Sequence, residues 1–381
     1  MYRSDSVPRV AFLFLGHIHH VFHTAPIAFE LARMGKVKVR LITSSREGLE
    51  LLKSVERRYP GNDARIEILE PSLEHRVLRR VKGRPYPRAK FVMRRHEQRL
   101  LDYDVLVSPD FYSIQLIQRR RGERPLFVYV FHGAGDRAYG PDERLLFYDL
   151  VLLPGEKIAR RLEALGILPR VSSSIIGYPK FDIIGDHLSV GAQLFEPPRR
   201  TVLYTPHFVE ELSSWHDWGL DILEMFHRSD RYNLIFAPHI MLFAKKDPRR
   251  LIPPRYFEAP HFHIDTGSLA SVDMTYTNLA DVYLGDVSSQ VYEFVVRPRP
   301  CVFLDPHGID WRGDPSFRFW NLGPVITHLH DLERVFGTPP TLDDATRAVQ
   351  HELIAETFDL DPAKSSGARG AEAILELLEQ C

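Results

Sequence analysis

The chain has 381 residues and a formal net charge of −1, from 49 lysines and arginines against 50 aspartates and glutamates. That length suggests two domains, each large enough for its own core, and 44% hydrophobic with 26% charged residues is ordinary for a soluble globular protein. Without a positive excess nothing favours a nucleic-acid partner, and two cysteines cannot form a disulfide framework or a four-cysteine metal site.

The first apolar run, Val10 to Leu15, is too short for a signal-peptide core. No stretch approaches the ~20 apolar residues that span a bilayer. The expectation is a soluble protein of the cytoplasm, peripheral to the inner face of a membrane at most. Val10-Ala-Phe-Leu-Phe-Leu15 reads as a strand buried on both faces. A helix is expected over roughly 24–34, closed by Gly35. Val37 to Ile42 reads as the next strand, and Ser45 to Arg57 as a helix capped by Ser44 or Ser45. Further strands are expected at 105–107, 126–131 and 150–153, with helices over 111–119 and 156–165. The Gly- and Pro-marked stretch 181–200 reads as a hinge. Strands then resume at 201–204, 233–237, 281–284 and 301–304, with helices over 220–227, 287–296, 345–356 and 368–380. Cys301 opens the last of those strands and reads as an inert core thiol; so few cysteines fit a reducing compartment.

Repeated strand-then-helix units imply two doubly wound parallel sheets. The expected organisation is an N-terminal Rossmann-like domain over 1–180, the hinge, and a C-terminal Rossmann-like domain over 201–381 whose last helix has room to return to the first. Such domains would face each other across a cleft. Ligands of open α/β sheets sit beyond the carboxyl ends of the strands, so residues just after strands are the candidates.

His132 follows a strand directly and opens His132-Gly133-Ala-Gly135-Asp136-Arg137. An imidazole there can act as a general base, and Gly133 lets a substrate approach the backbone. Asp136 and Arg137 follow as acceptor-binding candidates. His239 ends the strand Leu234-Ile-Phe-Ala-Pro238-His239, and His207 ends Leu203-Tyr-Thr-Pro206-His207 in the same way. Asp286, Ser288 and Ser289 follow the strand at 281–284 and open a helix, an arrangement suited to donor phosphates. His17, His20 and His23 follow the first strand. With no nearby cysteine, and Glu30 as the first carboxylate, they read as acceptor-binding residues before metal ligands. Between Arg76 and Arg99 ten basic residues face only Glu97, a stretch that suits an anionic membrane surface or a phosphate-rich acceptor.

Taken together these segments resemble the CDP-glycerol glycerophosphotransferases of teichoic-acid and capsule assembly. The matching pieces are His132-Gly133, Gly177-Tyr-Pro179-Lys180-Phe-Asp182, Val202-Leu-Tyr-Thr-Pro206, Pro238-His239, Asp281 to Ser289, Val291-Tyr-Glu-Phe294, Arg299-Pro300-Cys-Val-Phe303 and Gly323-Pro324-Val325. The match runs from about Val128 onward; the first ~120 residues agree only at the level of the fold. The resemblance implies the GT-B fold, a CDP-activated donor, a lipid-linked or polymeric hydroxyl acceptor and no cofactor or required metal. It also implies catalytic roles for His132 and His239, and donor-phosphate binding by Ser288 and Ser289. The sequence departs from the family where Ala134-Gly135-Asp136-Arg137 follows His-Gly, and where Val287 follows Asp286. Two other readings fit the same residues: a GT-B glycosyltransferase or UDP-sugar 2-epimerase-like enzyme, and a non-catalytic nucleotide- or polyanion-binding partner in capsule assembly.

Overall fold

The computed structural model describes residues 7–70, 89–133, 135–136, 143–183, 194–196, 198–244 and 246–380. The chain divides into two compact units. Unit 1 holds the described residues of 1–133, 139–183 and 356–381; unit 2 holds those of 134–138 and 184–355.

In unit 1 the strands are β1 (Arg9–Phe14), β2 (Lys38–Thr43), β3 (Arg65–Ile68), β4 (Val105–Ser108), β5 (Leu126–Val130), β6 (Leu150–Leu153) and β7 (Ser173–Ile175). They form one sheet in the order β3-β2-β1-β4-β5-β6-β7, and every pairing is parallel. Parallel pairing needs a crossover on each return, and helices supply it here. The central strands are buried throughout: β4, β5 and β6 are apolar or small at every position, and Phe12 of β1 lies between Leu41 and Val107. The order reverses between β1 and β4, which makes their carboxyl ends the switch point of this sheet.

The helix after β1 runs from His20 to Arg33, four residues earlier than the sequence pattern suggests, so His20 and His23 are helical and buried. Gly35 follows at φ +67, the left-handed conformation that ends a helix without a Cβ penalty. Ser45 caps the helix Arg46–Glu56 by accepting from the Gly48 N–H at 2.9 Å. The expected helix over 111–119 is a 3-10 turn at Phe111–Ser113 and one α turn at Ile114–Ile117. The final helix, Ser366–Gln380, packs along His20–Arg33 within unit 1, where Gly370 meets the Ile27 side chain and Gly367 meets the Pro26 backbone.

Unit 2 contains β8 (Arg200–Thr205), β9 (Tyr232–Phe236), β10 (Phe262–Ile264), β11 (Val282–Gly285), β12 (Cys301–Leu304) and β13 (Val325–Ile326). Their order is β10-β9-β8-β11-β12-β13, again all parallel, with the reversal between β8 and β11. Aromatic side chains fill its core: Tyr204, Trp215, Phe226, Tyr232 and Phe236 pack with Ile222, Leu234 and Val282. The helix between β8 and β9 spans Trp215–His227, one and a half turns longer at its start than the pattern suggests. Cys301 is a free thiol, fully buried, with its pKa raised by burial. Of the stretch read as a hinge, 184–193 and 197 lie outside the described residues.

Candidate functional site

Unit 1 gathers five histidines at the switch point. The loop after β1 carries His17 and His19, the helix that follows carries His20 and His23, and His132 lies two residues past the end of β5. The ring centroids of His20 and His132 are 4.4 Å apart, those of His19 and His20 4.7 Å, and those of His23 and His132 6.3 Å. Burial pushes the His20 and His23 imidazoles well below their ordinary range, and neighbouring cationic or titrating rings push in the same direction. Burial also brings His132 down to about 4, against a smaller upward pull from a hydrogen bond to the Pro109 carbonyl. The buried Nδ1 of His132 has no hydrogen-bond partner, which leaves Nε2 for that carbonyl bond. In that tautomer Nδ1 carries a lone pair, the atom a proton-abstracting imidazole needs. Gly133, next in the chain, is exposed and has nothing within 4 Å of the place a Cβ would take.

The strand-end rule also finds a residue that the motif reading missed. Asp110 follows β4 after Ser108-Pro109, and its Oδ2 lies 3.9 Å from His20 Nδ1. A Cβ on Gly16 would sit 2.8 Å from that same oxygen, so glycine is what leaves room for the carboxylate. The signal was available in the sequence, since Asp110 stands as close after its strand as His132 does after β5.

In unit 2, Asp286 organises the switch point. Its Oδ1 accepts from the backbone N–H of His207 (2.8 Å) and of Val287 (2.6 Å). Its Oδ2 accepts from the N–H and hydroxyl of Ser214 (2.6 and 2.9 Å). The Trp320 indole donates to its carbonyl at 2.8 Å. Asp286 is 1% exposed, and burial raises its carboxyl to about 6 although all four bonds to the side chain favour the charged form. Its side chain thus fixes the loops after β8 and β11.

The rings of His207 and His239 stand 5.5 Å apart after β8 and β9. His207 Nδ1 accepts from the Val209 N–H at 3.1 Å, and His239 Nδ1 accepts from the Met241 N–H at 3.2 Å. Those bonds require lone pairs on both Nδ1 atoms, so in the neutral rings the proton is on Nε2. Unit 2 therefore carries two imidazoles fixed as Nε2–H donors, whereas unit 1 carries one fixed as an Nδ1 acceptor. Burial brings His239 down to about 4, so the neutral form prevails near pH 7.

Ser289 is exposed at the start of the helix Gln290–Val295, and its side chain makes no capping bond. Ser288 Oγ accepts from the Gln290 N–H at 3.3 Å and also meets the Tyr283 hydroxyl. At six residues the helix contributes only a modest dipole, so the serine hydroxyls and nearby N–H groups matter more. Gly135 packs against Ser289, whose Cβ is 3.0 Å from where a Cβ on residue 135 would be. Asp136, also in unit 2, accepts from the Phe319 N–H at 3.0 Å and from the Tyr292 hydroxyl. Arg137 lies outside the described residues.

The structure thus brings His17, His20, His23 and His132 together in unit 1. It brings His207, His239 and Asp286 together in unit 2, where Asp136 and Gly135 lie against the helix that Ser288 and Ser289 open. Of the basic stretch Arg76–Arg99, residues 71–88 lie outside the described part. Lys90, Arg94 and Arg95 are exposed on or beside the short helix Ala89–Arg95, while Arg99 pairs with Glu67. Among the described residues no group of three or more His, Cys, Asp or Glu is placed to hold a metal ion, and no helix is long and apolar enough to cross a membrane.

No protein-family model matches the chain, and no curated protein matches its sequence. Solved structures do share its architecture. A variant of the wall teichoic acid polymerase TagF soaked with CDPG aligns with a TM-score of 0.61 at 14% identity, covering 98% of this chain and 90% of the other. The S. aureus MnaA–UDP co-structure gives 0.62 at 12% identity over 98% and 96%. A UDP-glucosyltransferase from Polygonum tinctorium gives 0.59 at 13% identity over 98% and 99%. At these identities the likeness is one of architecture, and the chain has the GT-B fold, two Rossmann-like units with parallel sheets.

Proposed function

We propose that the chain is a GT-B transferase that moves a phosphoglycerol, or a related phospho-alcohol, from a CDP-activated donor to a hydroxyl acceptor of a cell-surface polymer. The observation that carries this reading is the complementary fixing of the histidines: an Nδ1 acceptor at His132, and Nε2–H donors at His207 and His239. Transfer to a hydroxyl needs one group to take a proton and others to hold phosphate charge. The motif resemblance and the architecture shared with TagF point to the same chemistry.

In this reading unit 1 takes the acceptor and unit 2 the donor. His132 Nδ1 accepts the acceptor's hydroxyl proton as the oxygen attacks the β-phosphorus. The bond from that phosphorus to the bridging oxygen breaks, and CMP leaves with the electron pair. His239 and His207 donate to the phosphate oxygens, and the hydroxyls of Ser288 and Ser289 hold the diphosphate. Asp286 keeps the His207 loop in place. His17 lines the acceptor side with His20 and His23 buried behind it, and the basic surface from Lys90 to Arg95 bears on an anionic, lipid-linked acceptor. Positioning and charge stabilisation dominate the rate, as in other phosphoryl transfers.

A donor screen tests the reading. Calorimetric titration with CDP-glycerol, other CDP-alcohols, UDP-sugars and CMP-sugars would be followed by nucleotide product analysis with a hydroxyl acceptor. CDP-glycerol binding with acceptor-dependent CMP release is expected. Preference for a UDP-sugar with release of UDP would replace the reading by glycosyl transfer, and binding without turnover on any donor would make the chain a non-catalytic partner.

A further inference from the structure

We propose that Asp110 is a positioning residue for His132: acting through His20, its carboxylate holds the His132 ring and offsets the positive charge that ring gains when it takes a proton. This rests on the reading of His132 as the base. The geometry is that of a buried carboxylate–imidazole couple with a second imidazole packed on it. One oxygen of Asp110 is committed, since Oδ1 accepts from the Tyr112 N–H at 2.9 Å. The other, Oδ2, has no hydrogen-bond partner and faces His20 Nδ1, itself unpartnered, at 3.9 Å. A buried carboxylate oxygen and a buried ring nitrogen are costly to leave unpaired, and a small rotation of either side chain would join them. The His20 ring in turn lies against His132, with centroids 4.4 Å apart. Gly16 keeps this arrangement open, because any side chain there would strike Asp110 Oδ2.

The surroundings show why a negative group is needed. The groups facing the His132 and His20 rings are His17 and His19 from the loop after β1 and His23 from the next helical turn; Tyr178 and Lys180, beyond β7, face His23. An imidazole or an ammonium is neutral or positive, so none of these histidines nor Lys180 can supply a negative charge. Among the described residues Asp110 is the carboxylate paired with His20. Proton abstraction by His132 therefore adds positive charge to a site whose other members repel it, and Asp110 is the counter-charge within reach.

The couple has a signature in pH. Burial raises the Asp110 carboxyl to about 6, with hydrogen bonds from Tyr112 and Ser108 opposing the rise. Its negative charge is thus present above that value and lost below it. In Asp110→Asn the charge is absent at every pH. The ratio of native to variant kcat should therefore be large at pH 8 and fall towards one at pH 5, with KM for donor little changed. At pH 8 a loss of at least roughly tenfold is expected, below the ~10⁴-fold seen where an aspartate bonds a catalytic histidine directly. A merely structural aspartate would lower activity by the same factor at both pH values, and that result overturns the proposal.

A second measurement needs no substrate. In ¹⁵N-histidine NMR of the full chain, the His20 and His132 ring nitrogens should shift in a step near pH 6 that disappears in Asp110→Asn. His20→Gln should remove the step at His132 while leaving Asp110 in place. Absence of the step in the native protein overturns the coupling. If no donor turns over but the step is present, the reading of the reaction fails while the coupling stands. If Asp110→Asn does not fold, the His20→Gln spectrum decides alone.

Discussion

The histidines past β5 and β9 differ in what their backbone neighbours leave them. His132 keeps a lone pair on Nδ1 because the Pro109 carbonyl takes its other nitrogen, and His239 keeps an N–H on Nε2 because its Nδ1 accepts from the Met241 amide. His132→Ala should lower kcat by ~10²–10⁴-fold, the span of general-base contributions. The melting temperature should hold, since the substitution removes a ring with an unpaired buried nitrogen; steady-state rates with thermal melts check both. His239→Ala removes a fixed donor and should cost ~10²–10³-fold in kcat, the range for one oxyanion donor. His239→Asn, which keeps an N–H, should recover part of that loss. Asp286 behaves differently because its carboxylate meets four donors within unit 2. An amide at this position turns a donor towards at least one N–H, so Asp286→Asn should destabilise by about 1–3 kcal/mol in denaturant unfolding. Unchanged stability would mean that these loops hold themselves.

At the scale of elements, the last helix packs along the helix that carries His20 and His23. Asp182, at the end of the Gly177-Tyr-Pro-Lys-Phe-Asp182 motif, accepts from the Gly367 and Ser366 N–H groups at 2.6 and 3.2 Å. A carboxylate there satisfies two orphan donors of the helix Ser366–Gln380 and complements its dipole. Gly370 then lets the helix approach Ile27, whose side-chain carbons lie 3.0–3.1 Å from a would-be Cβ. Gly370→Val should cost about 1–3 kcal/mol as an overpacked contact. By tilting the helix that carries His20 and His23 it should also lower activity, whereas Ile27→Ala in the same protein should relieve part of the strain. The motif was legible as a motif, but its capping role was not, because its partner lies 185 positions later. The buried strands were legible wherever they form unbroken apolar runs, as in Val10 to Leu15 and Cys301 to Leu304. The edge strands β3, β7, β10 and β13 were not, because Arg65-Ile-Glu-Ile68 or Ser173-Ser-Ile175 leave too short or too polar a pattern to exceed that of a loop. His20 to His23 read as loop because polar rings mask the apolar period, yet burial places them inside the helix. Helix 329–336 was missed since it is only eight residues long and has no capping side chain.

For the whole molecule, burial of its histidines should make the fold sensitive to acid. His20, His23, His132 and His239 hold their neutral forms in the folded chain but take protons near their ordinary value, about 6.5, once unfolded. Between about 6.5 and 4 the unfolded chain therefore binds more protons at these positions, and linkage makes stability fall as pH falls. Asp110, Asp182 and Asp286 act in the opposite sense. Their folded carboxyls titrate near 6 and their unfolded ones near 4, so in that window the folded chain binds more protons and gains stability on acidification. Three carboxyls raised to about 6 oppose four imidazoles: His132 and His239, lowered to about 4, and His20 and His23, which burial holds well below their ordinary value. With four imidazoles against three carboxyls, the imidazoles should win and stability should fall on acidification. Calorimetry should show the melting temperature falling by roughly 5 °C or more from pH 7 to pH 5, with the steepest loss in the transition of unit 1, where His20 and His23 reside. His23→Phe, which fills the same buried space without a titrating nitrogen, should flatten that acid limb. A melting temperature that stays level or rises on acidification would mean that the aspartates outweigh the histidines, and that the rings are less deeply desolvated than their packing implies.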